Sequence, residues 1–307
     1  MNRFVIDTDP GVDDAHAIMI ALAHPNAQVE AITTVTGNVS LAQTTANACT
    51  ILDVLKQDVP IYAGCSRALI SPTSDASHVH GSDGLGNSGY PPSLRQVEKE
   101  HAVQALIRLA NESPGELTLI ALGPLTNLAL AVRLDPGLPA RYAHLIVMGG
   151  TIRGTGNITP AAEFNAYTDP EAAAIVFDAW PEFTLISWET TLSHGFSREQ
   201  IEILMAIDSP RAEFFRRITD HTIKVMAQSF GRQELFAPDG LAVSVALEPD
   251  IVQRSEKHHV YVELTGQHTR GQTVVDWSDH AGKKSNVDIV LDMNRQRLWE
   301  LLQAALA

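Results

Sequence analysis

Short apolar runs alternate with longer amphipathic stretches through most of the 307-residue chain. The runs predict strands, and the stretches predict helices, because their apolar side chains recur with a helical period. The predicted strands are Phe4–Asp7, Val29–Val35, Leu117–Ala121, Leu145–Met148 and Phe183–Ser187. The predicted helices are Asp14–Ala23, Leu41–Leu55, Val97–Asn111, Leu125–Leu134 and Asp169–Asp178. Strands that alternate with helices form βαβ units, so we expect an α/β fold with a mainly parallel open sheet flanked by helices.

The composition supports one large folded unit. Apolar residues make up 45% of the chain and charged residues 19%, which is enough for an extensive core and too apolar for disorder. We find no Ser/Gly-rich linker, no low-complexity tract and no internal repeat. The sequence therefore predicts a single domain over residues 1–307.

The charge balance limits the partners. The chain has 22 Lys and Arg against 36 Asp and Glu, a formal net charge of -14, which repels nucleic-acid polymers and anionic membranes. We see no basic segment followed by an apolar stretch at the start, and no membrane-length apolar run. Cys49 and Cys65 lack a metal-type spacing and predict reduced, buried thiols. We expect a cytoplasmic protein that binds a neutral small molecule.

Four aspartates lie within eight residues directly after the first predicted strand: Asp7, Asp9, Asp13 and Asp14. Carboxylates this close together repel one another, which favours a bound cation. Oxygen ligands without nearby Cys or His favour calcium or magnesium over zinc. A structural alternative is that Asp13 caps the following helix while Asp14 interacts with its dipole. Taken alone, the cluster fits a magnesium-dependent phosphohydrolase equally well.

Other polar or glycine-rich segments also follow predicted strands, as the aspartates do. Ligands of open parallel sheets bind at the carboxyl ends of the strands. We therefore expect these distant segments to meet at one edge of the sheet. They are Asp7–Asp14, Asn38, Gly123–Thr126 and Gly149–Gly150.

Several motifs in register resemble the calcium-dependent nucleoside hydrolases, the inosine–uridine-preferring family. They are Asp7–Asp14, Ile32–Asn38, Ala121–Asn127, Val147–Gly150 and Glu163–Asn165, with a weaker match at Thr273–Asp276. The resemblance implies hydrolysis of the N-glycosidic bond of a ribonucleoside to ribose and a free base. It also implies a homodimer or homotetramer.

The same resemblance implies the metal site. A calcium ion would be held by Asp9, Asp14, Asp239 and the backbone carbonyl of Thr126, and would bind the nucleophilic water and the ribose 2′- and 3′-hydroxyls. Asp9 matches the base that takes the proton of that water. Asp7 matches the first family aspartate, for which a supporting or purely structural role is expected.

Further matches imply ribose contacts. Asp13 corresponds to a residue that accepts a hydrogen bond from the ribose, although simple helix capping is the alternative. The backbone of Met148 would shape the floor of the same site, and Asp239 would contact the sugar through the ion. The remaining predicted sugar-binding residues are Asn38, Asn157, Glu163 and Asn165, all of which are hydrogen-bonding residues.

The chain departs from the family pattern at Pro238. Many members have a His-Asp pair there, in which the histidine donates a proton to the departing base, and proline cannot do so. His80, in the predicted loop Ser66–Pro92, is the best substitute, although a loop-structuring role is nearly as plausible. His221 and Tyr90 are weaker candidates. The helical period of Ile207–Ala237 by itself predicts a core-facing helix. The resemblance implies instead that this region and Ser66–Pro92 are the mobile walls of the base pocket.

Two side chains have no assigned role. His16 occupies a position where we expect a small apolar residue, and Trp188 stands where the family more often has an aspartate. Besides an active hydrolase, the absence of the acid leaves a catalytically weakened nucleoside- or ribose-binding relative as an alternative.

Overall fold

The structure, a computed structural model, describes residues 1–72 and 75–307, with the backbone alone for residues 229 and 230. Thr73 and Ser74, in the predicted loop, lie outside the described residues. The strands are β1 (Asn2–Thr8), β2 (Ala27–Thr34), β3 (Ile61–Ala63), β4 (Leu117–Ala121), β5 (His144–Met148), β6 (Phe183–Ile186), β7 (Val252–His258), β8 (Val260–Val262), β9 (Thr273–Val275) and β10 (Val287–Met293). The helices are α1 (Val12–Ala23), α2 (Leu41–Leu55), α3 (Ser77–His80), α4 (Ala102–Glu112), α5 (Thr126–Leu134), α6 (Phe164–Thr168), α7 (Pro170–Ala179), α8 (Trp188–Ser193), α9 (Arg198–Met205), α10 (Pro210–Phe230), α11 (Pro238–Leu247) and α12 (Arg295–Leu306).

Eight strands form one sheet in the order β3-β2-β1-β4-β5-β6-β10-β7. Every neighbouring pair in it is parallel except β10 and β7, which are antiparallel. Strands β8 and β9 form a separate antiparallel pair. The expected α/β fold with a mainly parallel sheet is confirmed.

Helices cover both faces of the sheet. Along β1, Phe4 and Ile6 pack into one apolar cluster with side chains of α1, α2, α10, α11 and α12. Val5 points to the opposite face and packs with side chains of α4, α5 and α7. Successive side chains of a strand alternate between faces, so a short apolar run such as Phe4–Ile6 fills both layers of the core.

The direction of the chain through the sheet reverses at β1. From β1 it proceeds outward to β2 and β3, and then returns to β4 on the other side of β1. Such a reversal opens a crevice at the carboxyl ends of the two central strands, where α/β proteins bind ligands. The loops that begin at Asp9 and at Leu122 therefore border one crevice.

Most differences from the sequence predictions lie outside this central region. The helix predicted from Val97 begins at Ala102, because the imidazole of His101 caps it by accepting a hydrogen bond from Val103 N at 3.2 Å. Strand β7 was not predicted: five consecutive residues of it are exposed, so it lacks an alternating pattern. Among the described residues, no helix has both the length and the apolar character needed to span a bilayer.

Candidate active site

A cavity of about 410 Å³ opens at the carboxyl edge of the sheet. This volume is in the range of pockets that enclose small molecules. Among the residues that line it are eight that the sequence predicted for the site: Asp13, Asn38, His80, Met148, Asn157, Glu163, Asn165 and Asp239. The other predicted residues, Asp9, Asp14 and Thr126, are buried in the adjoining loops and helix starts.

Three carboxylates converge at one end of the cavity. Asp13 and Asp14 lie in the first turn of α1 and Asp239 lies in the first turn of α11, with one oxygen of each within 4.8 Å of the others. The N-cap of α1 is Gly11 rather than Asp13, so the capping interpretation of Asp13 is wrong. Asp14 does support the helix start, because its Oδ2 accepts a hydrogen bond from Gly11 N at 2.8 Å.

Asp9 lies beside these carboxylates and is held tightly. A Cβ atom added at Gly37 would lie 2.0 Å from Asp9 Oδ2, and one at Gly123 would lie 2.4 Å from Oδ1. The loops after β2 and β4 can therefore enclose this carboxylate only because both positions are glycine. Oδ2 also accepts a hydrogen bond from Asn38 N at 2.7 Å. Asp9 is consequently fixed in one orientation.

The cluster concentrates negative charge away from water. Burial raises the pKa of Asp13 to about 6, and burial together with the charge of Asp13 raises the pKa of Asp14 to about 6. Burial and the neighbouring carboxylates raise the pKa values of Asp9 and Asp239 well above the ordinary range. Asp13 Oδ1 is buried and has no hydrogen-bond partner among the described residues. A cation would stabilise this arrangement, so the donor set fits a hard divalent metal ion.

Asn38, which the sequence assigned to the substrate, holds the aspartates in place. Its Nδ2 donates to the carbonyl of Asp9 at 3.2 Å and to Asp14 Oδ2 at 3.0 Å. Because both contacts use the amide nitrogen, Oδ1 is the atom of this side chain that remains for a ligand. Asp7 has a comparable supporting position: its Oδ1 accepts from Thr33 and Asn127, which joins β1 to β2 and α5.

The opposite wall carries acceptors. Glu163 caps α6, since its Oε1 accepts from Asn165 N at 2.9 Å and its Oε2 from Ala166 N at 3.1 Å. Oε2 also accepts from Gly150 N, in the loop after β5, at 2.7 Å. Asn165 Nδ2 donates to the carbonyls of Leu122 and Met148, at 2.7 and 3.2 Å, which leaves its Oδ1 as an acceptor. Burial raises the pKa of Glu163 to about 7. The wall thus suits a ligand that has hydroxyl donors.

Sequence reasoning missed Glu189, in the first turn of α8. Its carboxylate accepts hydrogen bonds from the backbone N–H groups of Ile152, Arg153 and Thr155, at 2.8, 2.7 and 3.3 Å. These groups begin the loop that carries Asn157 to the rim of the cavity. The only sign of this role in the sequence was that Trp188, the preceding residue, departs from the family pattern. Trp188 itself lines the cavity, with its ring 6.3 Å from that of Phe236.

The side of the cavity next to α3 contains His80. Its Nδ1 accepts a hydrogen bond from Val12 N at 3.1 Å and lies 3.6 Å from Asp13 Oδ1. Burial lowers the pKa of His80 to about 4, so the ring is neutral at pH 7, with its proton on Nε2. Pro238 lines the same cavity. His221 and Tyr90 are not among the described residues that line the cavity.

This fold and this site define a nucleoside hydrolase. A solved inosine-guanosine nucleoside hydrolase superposes with a TM-score of 0.92 at 32% identity, covering 100% of this chain and 99% of that one. The chain belongs to the inosine-uridine preferring nucleoside hydrolase family, whose model matches residues 4–300. As a member of this metal-dependent family it hydrolyses ribonucleosides to ribose and a free base, which decides against the phosphohydrolase interpretation.

Named relatives have different base preferences. The inosine-uridine preferring nucleoside hydrolase of Leishmania major is 36% identical over 99% of this chain and 97% of its own length. The pyrimidine-specific ribonucleoside hydrolase RihB of Escherichia coli is 32% identical over 98% of this chain and 96% of its own length. Because the identities are so similar, overall identity does not determine the base that this chain accepts.

The three hydrogen bonds to Glu189 lead to a prediction. In Glu189→Gln the charged acceptor is lost, and hydrogen bonds to a charged group contribute about 1.5–3 kcal/mol. We expect the Asn157 loop to loosen and kcat/KM for nucleosides to fall about tenfold, mainly through KM. Steady-state kinetics of Glu189→Gln measure this effect, and Glu182→Gln, which changes an exposed residue, is the control. If the two variants have the same kcat/KM, Glu189 does not support substrate binding.

Proposed function

We propose that the protein is a calcium-dependent ribonucleoside hydrolase of nucleoside salvage. The observation that carries the proposal is the convergence of Asp13, Asp14 and Asp239 at the end of a cavity that is also lined by Glu163 and Asn165. The carboxylates can hold an ion, while the other two residues offer acceptors to sugar hydroxyls.

The proposed ligands of the ion are Asp9, Asp14, Asp239 and the backbone carbonyl of Thr126. All four ligands are oxygens, which favours calcium, an ion that accepts flexible coordination by carboxylates and carbonyls. Thr126 is anchored by its hydroxyl, which donates to Asp169 Oδ2 at 2.6 Å. When bound, the ion would supply a Lewis acid that lowers the pKa of a coordinated water.

The residues of the chain divide the remaining tasks. Asp9 accepts a proton from the attacking water, because it is the carboxylate whose orientation Gly37, Asn38 and Gly123 fix. Asp13 accepts a hydrogen bond from the ribose, in agreement with its unpartnered Oδ1. The acceptors of Glu163, Asn165 and Asn157 hold the other hydroxyls, and the carbonyl of Met148 supports Asn165.

Removal of the ion should abolish activity. We expect stoichiometric calcium in the purified protein, and we expect Asp14→Ala and Asp239→Ala to lose both the metal and turnover, because each removes a ligand from the buried cluster. Elemental analysis and a reducing-sugar assay measure these effects, with exposed Asp250→Ala as the control. Full activity after exhaustive chelation, or zinc as the sole stoichiometric metal, would contradict the proposal.

A second prediction concerns the proton acceptor. An amide keeps the shape of the Asp9 side chain but cannot take a proton, so Asp9→Asn should bind nucleoside while turnover falls about 10²–10⁴-fold. Equilibrium binding and single-turnover kinetics, with metal content determined in the same sample, distinguish this role from a loss of the ion. Near-normal turnover of Asp9→Asn would show that a group other than Asp9 accepts the proton of the attacking water.

Activation of the leaving base is where this chain differs from many relatives. Pro238 has no proton to donate, and the neutral ring of His80 can donate a hydrogen bond from Nε2 rather than act as an imidazolium acid. His80 is therefore proposed as a catalytic residue that stabilises the departing base by hydrogen bonding. The same departure favours the second candidate function, a weakened relative that binds nucleosides with little turnover.

Replacing Pro238 by His tests whether the missing acid limits turnover, whereas nucleoside turnover by the native protein separates the two functions. Pro238 occupies the first position of α11, where the ring fixes the backbone without loss of a helix hydrogen bond, so a substitution is tolerated. We expect Pro238→His to raise inosine turnover about 10²-fold or more by supplying a general acid. Pro238→Ala is the matched control, and His80→Ala should lower the activity of the native protein. Rapid native inosine hydrolysis that survives His80→Ala would refute this account.

We further propose that the protein acts in the cytoplasm as a homodimer or homotetramer. Cys49 and Cys65 are both buried free thiols, which suits a reducing compartment. The oligomeric state is supported by the family resemblance alone.

A further inference from the structure

Asn47 of α2 is a buried residue whose side-chain amide bridges two loops of the active site. With 2% of its surface exposed, it donates from Nδ2 to the carbonyl of Pro10 at 2.8 Å and to that of Asp83 at 2.9 Å. Pro10 belongs to the loop of aspartates after β1, and Asp83 follows α3, which ends at His80. Carbonyls only accept hydrogen bonds, so the amide nitrogen must face both of them. One side chain thus joins the loop that carries Asp9 to the segment that carries His80.

The helix that carries this amide is fixed to the sheet. The hydroxyl of Thr44 donates to the carbonyl of Val35, directly after β2, at 3.0 Å. Ile51, further along α2, packs in the same apolar cluster as side chains of β1 and β2. Gln43, one turn before Asn47, donates from Nε2 to Asn47 Oδ1 at 2.9 Å, so the amide has partners at both ends. Asn47 therefore presents its donors from a rigid part of the fold.

Gly84 allows the segment after His80 to approach this amide. Its φ is +73°, and a Cβ atom at this position would lie 2.6 Å from Asn47 Nδ2 and 3.4 Å from the carbonyl oxygen of Pro10. Both the backbone conformation and the close contact therefore favour glycine. The turn closes on His80 itself, because Gly86 N donates to the His80 carbonyl at 2.7 Å. The turn is thus shaped to fit against Asn47.

The bridge determines where the His80 ring lies. His80 Nδ1 accepts from Val12 N at 3.1 Å, which leaves the Nε2–H group as the donor of this ring. Val12 is two residues after Pro10, so the position of its N–H group relative to His80 depends on how the two loops are joined. Asn47 is not among the described residues that line the cavity, whereas His80 is. Any effect of Asn47 on the reaction is therefore exerted through the groups that it holds.

We propose that Asn47 is a positioning residue that holds the His80 imidazole where it stabilises the departing base. The inference rests on the proposed function and on the role given there to His80. Misplacing a catalytic group by about 1 Å can cost on the order of 100-fold in rate. Two hydrogen bonds that fix the backbone on either side of the His80 contact therefore affect turnover directly.

Asn47→Asp keeps the shape of the side chain and replaces the donating nitrogen by an oxygen. The carbonyls of Pro10 and Asp83 then face an acceptor, so we expect kcat for inosine to fall about tenfold with little change in KM. The matched control is Asn26→Asp, which introduces the same charge at an exposed position. Asn47→Ala removes the donor without adding charge, and it should give the same result if Asn47→Asp folds poorly.

Two further measurements distinguish positioning of His80 from a merely structural role. p-Nitrophenyl β-D-ribofuranoside releases a stable phenolate that needs no hydrogen-bond donor, so Asn47→Asp should hydrolyse it with nearly the native kcat. In the His80→Ala background, Asn47→Asp should change kcat for inosine less than about twofold, because the group through which Asn47 acts is absent. Equal losses with both substrates and in both backgrounds would show that Asn47 is structural or acts through Asp9, and would overturn the proposal.

Failure of this inference and failure of the proposed function give different results. If native inosine hydrolysis survives His80→Ala, the protein remains a hydrolase, but Asn47 has no catalytic group to position and the inference is wrong. If the native protein hydrolyses neither inosine nor the p-nitrophenyl riboside, the proposed function is refuted together with the inference.

Discussion

The mutual repulsion of buried carboxylates is the constraint around which this end of the molecule is built. Asp9, Asp13, Asp14 and Asp239 reach the cluster from two helix starts and one strand end, and burial alone would force protons onto them. Backbone N–H groups, the amide of Asn38 and the dipoles of α1 and α11 offset part of this charge. The remainder requires a positive ion, so the acidity of the site and the metal dependence of the family have the same physical origin.

The fold was largely predictable because the apolar runs that form parallel strands are short, continuous and separated by helical periods. Asp9, Asp13 and Asp14 were predictable for a related reason, since they are close in sequence, whereas the distant Asp239 was expected from the family resemblance alone. Individual side-chain contacts between other distant segments were not predictable. Glu189 binds backbone N–H groups of residues 34 to 37 positions away, and His16 meets a side chain 203 positions away. No local sequence pattern indicates such pairs. The hydrogen bonds from the Asn38 amide to Asp9 and Asp14 likewise became apparent only from the orientation of this side chain in the structure.

The two ends of the cavity differ in how strongly they are constrained. At the proposed ribose end, Glu163 and Asn165 are locked by backbone groups at the carboxyl ends of β4 and β5 and at the start of α6, so substitution there disturbs the edge of the sheet. At the proposed base end, the wall comes from α3, α8 and α10, which lie outside the sheet. This division agrees with the finding that relatives of similar overall identity are named for different bases.

Helix α11 links the ion to the stability of the whole protein. All ten of its residues are buried, and Asp239 in its first turn is the one ionisable group among them. A helix that fills the core on every side cannot move toward solvent to relieve an unpaired charge. Occupancy of the metal site is therefore coupled to folding: above the dissociation constant, each tenfold rise in free ion concentration adds about 1.4 kcal/mol to the free energy of unfolding. With the proposed metal site, the concentration of free ion therefore sets the equilibrium stability of the folded enzyme as well as its rate.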